Sequence, residues 1–149
     1  MVLDNLFDDI EVVSLSIPAN QSGTDTTVSS SAVDTQGIRG CQFLVYYGNS
    51  ADTLGANVKL EAKLQSSATE GGTYADVADA DVLGSTTNTF ALADAPTEDS
   101  ELYALCYNGT TRWVKILLTL TGAHTNGTPL CMFAIKKKPF TGGDTAVNP

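Results

Sequence analysis

The pattern of hydrophobic and polar positions along this chain favours short β-strands over helices. Over residues 58–65, four apolar residues alternate strictly with four polar ones. A period of two places every apolar side chain on one face of a strand. Such alternation is typical of an antiparallel sheet with one buried face and one solvated face.

Similar strand patterns recur along the chain, separated by turn-forming residues. They cover residues 10–17, 41–47, 58–65, 74–77, 89–92, 101–107, 113–120 and 130–135. About eight strands predict two packed layers, so the expected fold is an all-β, antiparallel β-sandwich of jelly-roll-like form. The residues predicted to share its core are Val58, Leu60, Leu64, Val114, Ile116, Leu118 and Leu120.

Two Asn-Gly pairs predict hairpin turns, since both residue types tolerate the positive φ of a type I′ turn. Asn108-Gly109 would join the strand at 101–107 to the strand at 113–120. Asn126-Gly127 would join that second strand to residues 130–135. The sequence therefore predicts a three-stranded meander.

The first 36 residues predict an extended N-terminal arm, followed by a domain at 37–140 and a tail at 141–149. An extended segment can add a strand to an exposed sheet edge, so we expect the arm to bridge to a neighbouring subunit or to a capsid. Deleting the arm would then leave a folded domain. The expected contact residues are Ile10, Val12, Val13, Leu15 and Ile17.

The net charge of −9 is unevenly distributed. Residues 1–110 hold three basic and sixteen acidic side chains, whereas residues 111–149 hold five basic side chains and one acidic one. Because duplex binding relies on basic residues that neutralise phosphates, this composition argues against nucleic acid as a partner. The basic residues expected to contact a protein partner are Arg112, Lys115, Lys136, Lys137 and Lys138.

No apolar run approaches the ~20 residues that cross a bilayer, and Met1–Ile10 contains acidic residues where a signal peptide carries lysines. We therefore expect a soluble protein made in a cytosol, without membrane contact. Cys41, Cys106 and Cys131 are widely spaced within apolar runs, which predicts buried thiols.

The sequence contains little that indicates catalysis, and we expect no enzyme activity and no cofactor. The only histidine, His124, falls in a predicted loop and is expected to be solvated. Asp76, Asp79 and Asp81 form a solvated turn or, less consistently with known spacings, a calcium site. The aromatic residues are dispersed, which favours packing roles over a sugar-binding platform, although a carbohydrate-binding module is an alternative.

Residues 64–77 and 80–84 resemble a family of small proteins found among tailed-phage head genes. The closing segments 107–116 and 118–122, with a final strand ending at Lys138-Pro139, are similar to the same family, so the resemblance covers roughly residues 37–139. It implies a capsid decoration (cement) or minor head protein, with the major capsid protein and further copies of itself, as a trimer, for partners. The expected location is the capsid exterior, and a phage neck or tail component is the alternative.

Overall fold

The computed structural model describes residues 9–138, and this part of the chain is nearly all antiparallel β-structure, as the alternating pattern predicts. The described residues form one curled, half-barrel-like sheet of ten strands, where the sequence predicts about eight. A short 3-10 turn spans Asp79–Asp81. The strands are β1 (Ile10–Ser14), β2 (Ala19–Ser29), β3 (Val33–Asp34), β4 (Gly40–Tyr47), β5 (Lys59–Ser67), β6 (Ala75–Asp76), β7 (Val82–Leu83), β8 (Thr89–Ala93), β9 (Leu102–Tyr107) and β10 (Trp113–Lys137).

Strand β10, 25 residues long, organises the sheet. Along one edge it pairs with β3, β2 and β1, so that residues 10–34 run antiparallel to its whole length. Along its other edge it pairs with β5 and then with β4. Strand β9 extends the sheet beyond β4, and β8 and β6 pair with β5.

The two ends of β10 lie close together in space. The Thr35 amide donates to the Arg112 carbonyl at 2.8 Å, and the Arg39 amide donates to the Lys137 carbonyl at 2.9 Å. Four peptide units separate Thr35 from Arg39, a reach of at most about 14 Å. A straight strand of this length would span about 80 Å, so β10 must curl back on itself.

The curl is concentrated in residues 121–128 of β10. The pairing with β2 changes register between Leu120 and Ala123 and again between His124 and Thr128. Gly122 and Gly127 have φ values of +79° and +81°, a region that glycine enters without steric cost. A Cβ on Gly122 would also collide with the Asn57 carbonyl oxygen. Such bulges bend a strand and increase its twist, which accounts for the curl.

The core lies inside the curled sheet and contains the predicted residues. Six of the seven are fully buried, and Val58 is partly buried against them. Met132 and Ala134, from the second half of β10, close the same core because the curl turns their face towards the first half. The strand phase predicted from the alternation is therefore confirmed.

The hairpin predicted at Asn108-Gly109 is wrong. Strand β9 pairs with β4 and β7, and β4 lies between β9 and β10, so these two strands do not pair with each other. The Tyr107 hydroxyl accepts from the Thr111 amide at 2.9 Å and donates to the Thr111 carbonyl at 3.1 Å. Its ring occupies the space of a Cβ on Gly109, so this glycine permits a close side-chain approach in a wide connection.

The hairpin predicted at Asn126-Gly127 is also wrong, because residues 113–137 form one continuous strand and do not turn back to pair with each other. Asp52 explains the difference. Its carboxylate accepts from the amides of Asn126, at 3.1 Å, and Gly127, at 2.8 Å, and so holds this bulge against the β4–β5 loop. The positive φ of Gly127 serves a bulge and not a type I′ turn.

The strand phase predicts a strong contrast between two neighbouring residues of β10. Leu118→Ala should lower the free energy of unfolding by about 2–5 kcal/mol, because Leu118 is fully buried. Thr119→Ala should cost far less, since Thr119 lies on the opposite, half-buried face. Urea unfolding of both variants measures the contrast, and equal losses would contradict the assigned phase.

Candidate functional site

The predicted arm lies within the sheet, as β1, β2 and β3. Val12 pairs with Ile135 and Val13 with Ala134, both in β10 of the same chain. Leu15 is 2% exposed and belongs to the core. The arm is thus held by its own chain, and its removal would uncover the whole edge of β10 and leave a gap at Leu15. Residues 1–8 of the arm and 139–149 of the tail and domain end lie outside the described residues.

The five contact residues predicted for the arm differ in their exposure. Val12 and Ile17 are 63% and 85% exposed. Ile10 and Val13 are half-buried, and Leu15 is buried. Only Val12 and Ile17 therefore present large apolar surface to a partner.

The predicted basic residues divide between the two ends of β10. Arg112 makes a bidentate pair with Asp34, through Nε at 2.9 Å and Nη2 at 2.7 Å. Lys115 lies 4.3 Å from the centre of the Tyr74 ring, a cation–π geometry. Both cations are engaged within the chain.

At the other end of β10, Lys136 pairs with Glu11 at 2.8 Å and is half-buried. Lys137 is exposed, and the Lys138 amide donates to the Asp9 carbonyl at 2.8 Å. The structure therefore brings the five predicted residues to one region through the curl, but it pairs Arg112 and Lys136 with acidic side chains.

Asp34, which was not predicted from the sequence as a site residue, has a strongly lowered pKa. Hydrogen bonds from Arg112, then from the Gln36 amide, lower its pKa from 3.8 to about 2. The charge of Lys136 adds to the effect although it lies at the far end of β10. Asp34 thus interacts with both ends of the curled strand.

Two of the three aspartates considered for calcium bind separate partners. Asp76 binds the Lys63 ammonium and, at 2.9 Å, the Gln65 amide. Asp79 accepts from the Asn88 amide at 2.7 Å. Within residues 9–138 no group of three or more acidic, histidine or cysteine side chains is arranged to hold a metal ion.

His124 is fully buried, so the prediction of a solvated loop histidine is wrong. The bulge in β10 turns its ring inwards, where Nε2 lies 3.3 Å from the Lys59 carbonyl and 3.2 Å from the Thr121 carbonyl. Two carbonyl acceptors assign the proton to Nε2. The buried Nδ1 has no hydrogen-bond partner among the described residues.

The three cysteines are free thiols, but they differ in burial. Cys41 is buried, and this desolvation raises the pKa of its thiol to about 12, which suppresses the reactive thiolate. Cys106 and Cys131 are half-buried on the outer side of the sheet, where the prediction was full burial. Their strands expose a face that the sequence suggested would be covered.

The aromatic side chains of the described residues have different surroundings. Arg112 lies over the Trp113 ring, 5.3 Å from its centre. Tyr47 is buried and donates to the Ala91 carbonyl at 2.9 Å, whereas its neighbour Tyr46 is 42% exposed. This opposite placement of Tyr46 and Tyr47 agrees with the sequence analysis.

A feature that the sequence analysis missed is an apolar patch on the outside of the sheet, over strands β1, β10, β4, β9 and β7. We call it the outer apolar face. Its members are Val12, Tyr46, Leu83, Leu102, Phe133 and Ile135. Four of them are among the exposed large hydrophobic residues. The sequence signal for this face was the unbroken apolar run at residues 130–135. A strand that is buried on one face only would alternate apolar and polar residues, so an unbroken run indicates that both faces are apolar.

No family model matches this chain, and no curated protein matches it. Among solved structures, the chain is similar to a crystal structure of a protein from Sulfurospirillum deleyianum, with 10% identity, a TM-score of 0.43, and coverage of 86% of this chain and 98% of that one. It is also similar to a structure of infectious bursal disease virus, Gt strain, with 14% identity and a TM-score of 0.28. That match covers 89% of this chain and 37% of the viral chain. Neither likeness is close enough to carry an argument.

No helix in residues 9–138 is long and apolar enough to span a membrane.

The Asp34 pair predicts a defined loss of stability in acid. A carboxyl group whose folded pKa is depressed stabilises the fold above its unfolded pKa, and this contribution disappears as the pH falls from about 4 towards 2. In Asp34→Asn we expect that part of the acid destabilisation, at most about 1 kcal/mol for an exposed pair, to be missing.

Urea unfolding at pH 6 and at pH 2.5 measures this difference. Asp81→Asn, at the exposed 3-10 turn, serves as the control and should retain the pH dependence of the parent. If Asp34→Asn and the parent lose equal stability between the two pH values, the pair with Arg112 has no energetic role.

Proposed function

We propose that this chain is a structural virion protein that binds the outer surface of a tailed-phage capsid and stabilises it, as decoration proteins do. The observation that carries the proposal is the resemblance of residues 64–84 and 107–139 to the head-protein family. An all-β domain with large exposed apolar side chains is consistent with a function performed by a surface.

The proposed mechanism requires no catalysis, no cofactor and no nucleic acid. A ligand that binds the assembled shell more tightly than its parts stabilises the shell by mass action. The protein would be made in the host cytoplasm and then bind the major capsid protein from outside. The capsid has three-fold positions, so we expect a trimer in the bound state.

For the fold itself, we propose that the curled sheet forms the two packed layers of a jelly-roll-like sandwich. Supporting this, the Tyr47 hydroxyl on β4 bonds the Ala91 carbonyl on β8, two strands that do not pair with each other. The halves of β10 before and after the bulge would then belong to opposite layers. Such a corner, formed by one strand that changes sheet at a bulge, is known in packed β-sheets.

Of the contact residues predicted from the sequence, we assign Ile17 and Lys137 to the shell contact. Ile17 is 85% exposed and Lys137 is exposed, whereas Leu15, Arg112 and Lys136 have partners within the chain. Ile17 would bury apolar area against the shell, and Lys137 would contribute a charge contact that weakens with salt.

The proposal predicts that purified particles carry this protein in hundreds of copies. A stained gel of particles, calibrated against the major capsid protein, measures the copy number. A neck or tail component would instead occur as a single ring, with a correspondingly faint band. Absence from the particles would contradict the virion assignment altogether.

Purified protein added to particles that lack it provides the binding test. Ile17→Asp should reduce the bound copies, because a carboxylate would have to lose its water in an apolar contact. The matched control is Leu92→Asp, on an exposed position of β8. Equal binding of Ile17→Asp, Leu92→Asp and the parent would remove Ile17 from the contact.

A further inference from the structure

The outer apolar face consists of side chains that are direct cross-strand neighbours. Val12 lies opposite Ile135, Phe133 lies opposite Leu44, and Cys131 lies opposite Tyr46. Tyr46 in turn lies opposite Leu102. Directly paired residues point to the same face, so these rows form one continuous surface.

The three central rows of this surface pass through Cys131, Phe133 and Ile135 of β10, and they contain no charged side chain. Besides apolar residues, the rows include only Ser14 and Gln42. The outward positions of β5 are different, since Lys59, Glu61 and Lys63 follow one another there. The molecule thus has one charged and one uncharged outer sheet face, although its net charge is −9.

The area of the outer apolar face is that of a functional patch. Four neighbouring strands about 4.8 Å apart, each contributing about 20 Å of length, give about 400 Å², to which the two-residue β7 adds little. Patches of this size on monomers are often binding sites. A stable interface buries about 800 Å² from each partner, so a dimer would need the charged surroundings of the face as well.

The two ends of the outer apolar face carry opposite charge. Arg39 and Lys137 lie at the end where β4 begins, joined by a backbone hydrogen bond of 2.9 Å. Lys136 and Glu11 form an ion pair at this end, and the Lys138 amide donates to the Asp9 carbonyl there, so Arg39 and Lys137 give this end its excess of positive charge. The acidic segment from Asp94 to Glu101 approaches the other end, where the Tyr47 amide donates to the Glu101 carbonyl at 3.0 Å and the Ser50 amide to the Asp99 carboxylate at 2.7 Å.

These charges identify a second copy of the chain as a complementary partner. When two copies pack face to face about a two-fold axis with their strands antiparallel, the basic end of each lies against the acidic end of the other. Because the centre of the face is uncharged, the contact brings no like charges directly together there, although each molecule carries a net charge of −9. The contact also covers the exposed rings and aliphatic chains.

We propose that a second copy of this chain packs on the outer apolar face, so that the free protein is a two-fold dimer. The dimer concerns the free protein and the trimer proposed above concerns the bound state, and the two contacts share Lys137. The experiment therefore uses the purified full chain without particles, so its outcome does not depend on the proposed function.

Sedimentation equilibrium of the full chain should give twice the mass of one chain. Leu102→Asp places a charge within the apolar contact in both copies, and it should raise the dimer dissociation constant by at least about tenfold. Leu92→Asp is the matched control, since Leu92 is 40% exposed but lies on β8, opposite Glu61. It should leave the dimer intact.

Thermal unfolding should show that Leu102→Asp and Leu92→Asp are folded, because both side chains are exposed in the parent. Tyr46→Glu, on a neighbouring strand of the same face, should repeat the effect of Leu102→Asp and separates loss of the contact from a local defect in β9. A monomeric parent, a parent with the mass of three chains, or a dimer that survives both Leu102→Asp and Tyr46→Glu would overturn the proposal.

Discussion

The structure depends on the pairing of β10 with strands along both of its edges. Residues 10–34 occupy one edge and residues 40–67 the other, so the longest strand satisfies most of its backbone hydrogen bonds within the chain. Because both ends of β10 must meet the short segment from Thr35 to Arg39, the strand has to bend. Gly122 and Gly127 make the bend possible, and Asp52 holds it in place.

The curl also determines which surfaces a partner can reach. It brings Lys136, at one end of β10, near enough to Asp34, beside the other end, for its charge to add to the lowering of the Asp34 pKa by Arg112 and the Gln36 amide. It places Val114 and Met132, from the two halves of the strand, in one core. The outward side chains of the second half contribute Phe133 and Ile135, two of the six residues of the outer apolar face. The other four lie on β1, β4, β7 and β9.

The sequence predicted the all-β, antiparallel character and the strand phase because both depend on local alternation. Leu118 and Leu60 were placed correctly by a period of two. The pairing partners were not predictable in this way, because Asn126-Gly127 has the same local preference in a hairpin and in a bulge, and only the distant Asp52 decides between them. His124 was predicted to lie in a solvated loop because its local sequence does not show that it belongs to a bulge in a continuous strand. The outer apolar face was missed because Cys106 and Cys131, which lie on its strands, were predicted to be buried thiols.

The most direct test of this account is the set of cross-strand NOEs from Leu130 in solution. In the structure Leu130 lies opposite Ala19 on one side and Tyr47 on the other, so we expect NOEs to both. A hairpin at Asn126-Gly127 would instead place Leu130 opposite Ala123. NOEs between Leu130 and Ala123, without those to Ala19 and Tyr47, would contradict the continuous strand and the curl that follows from it.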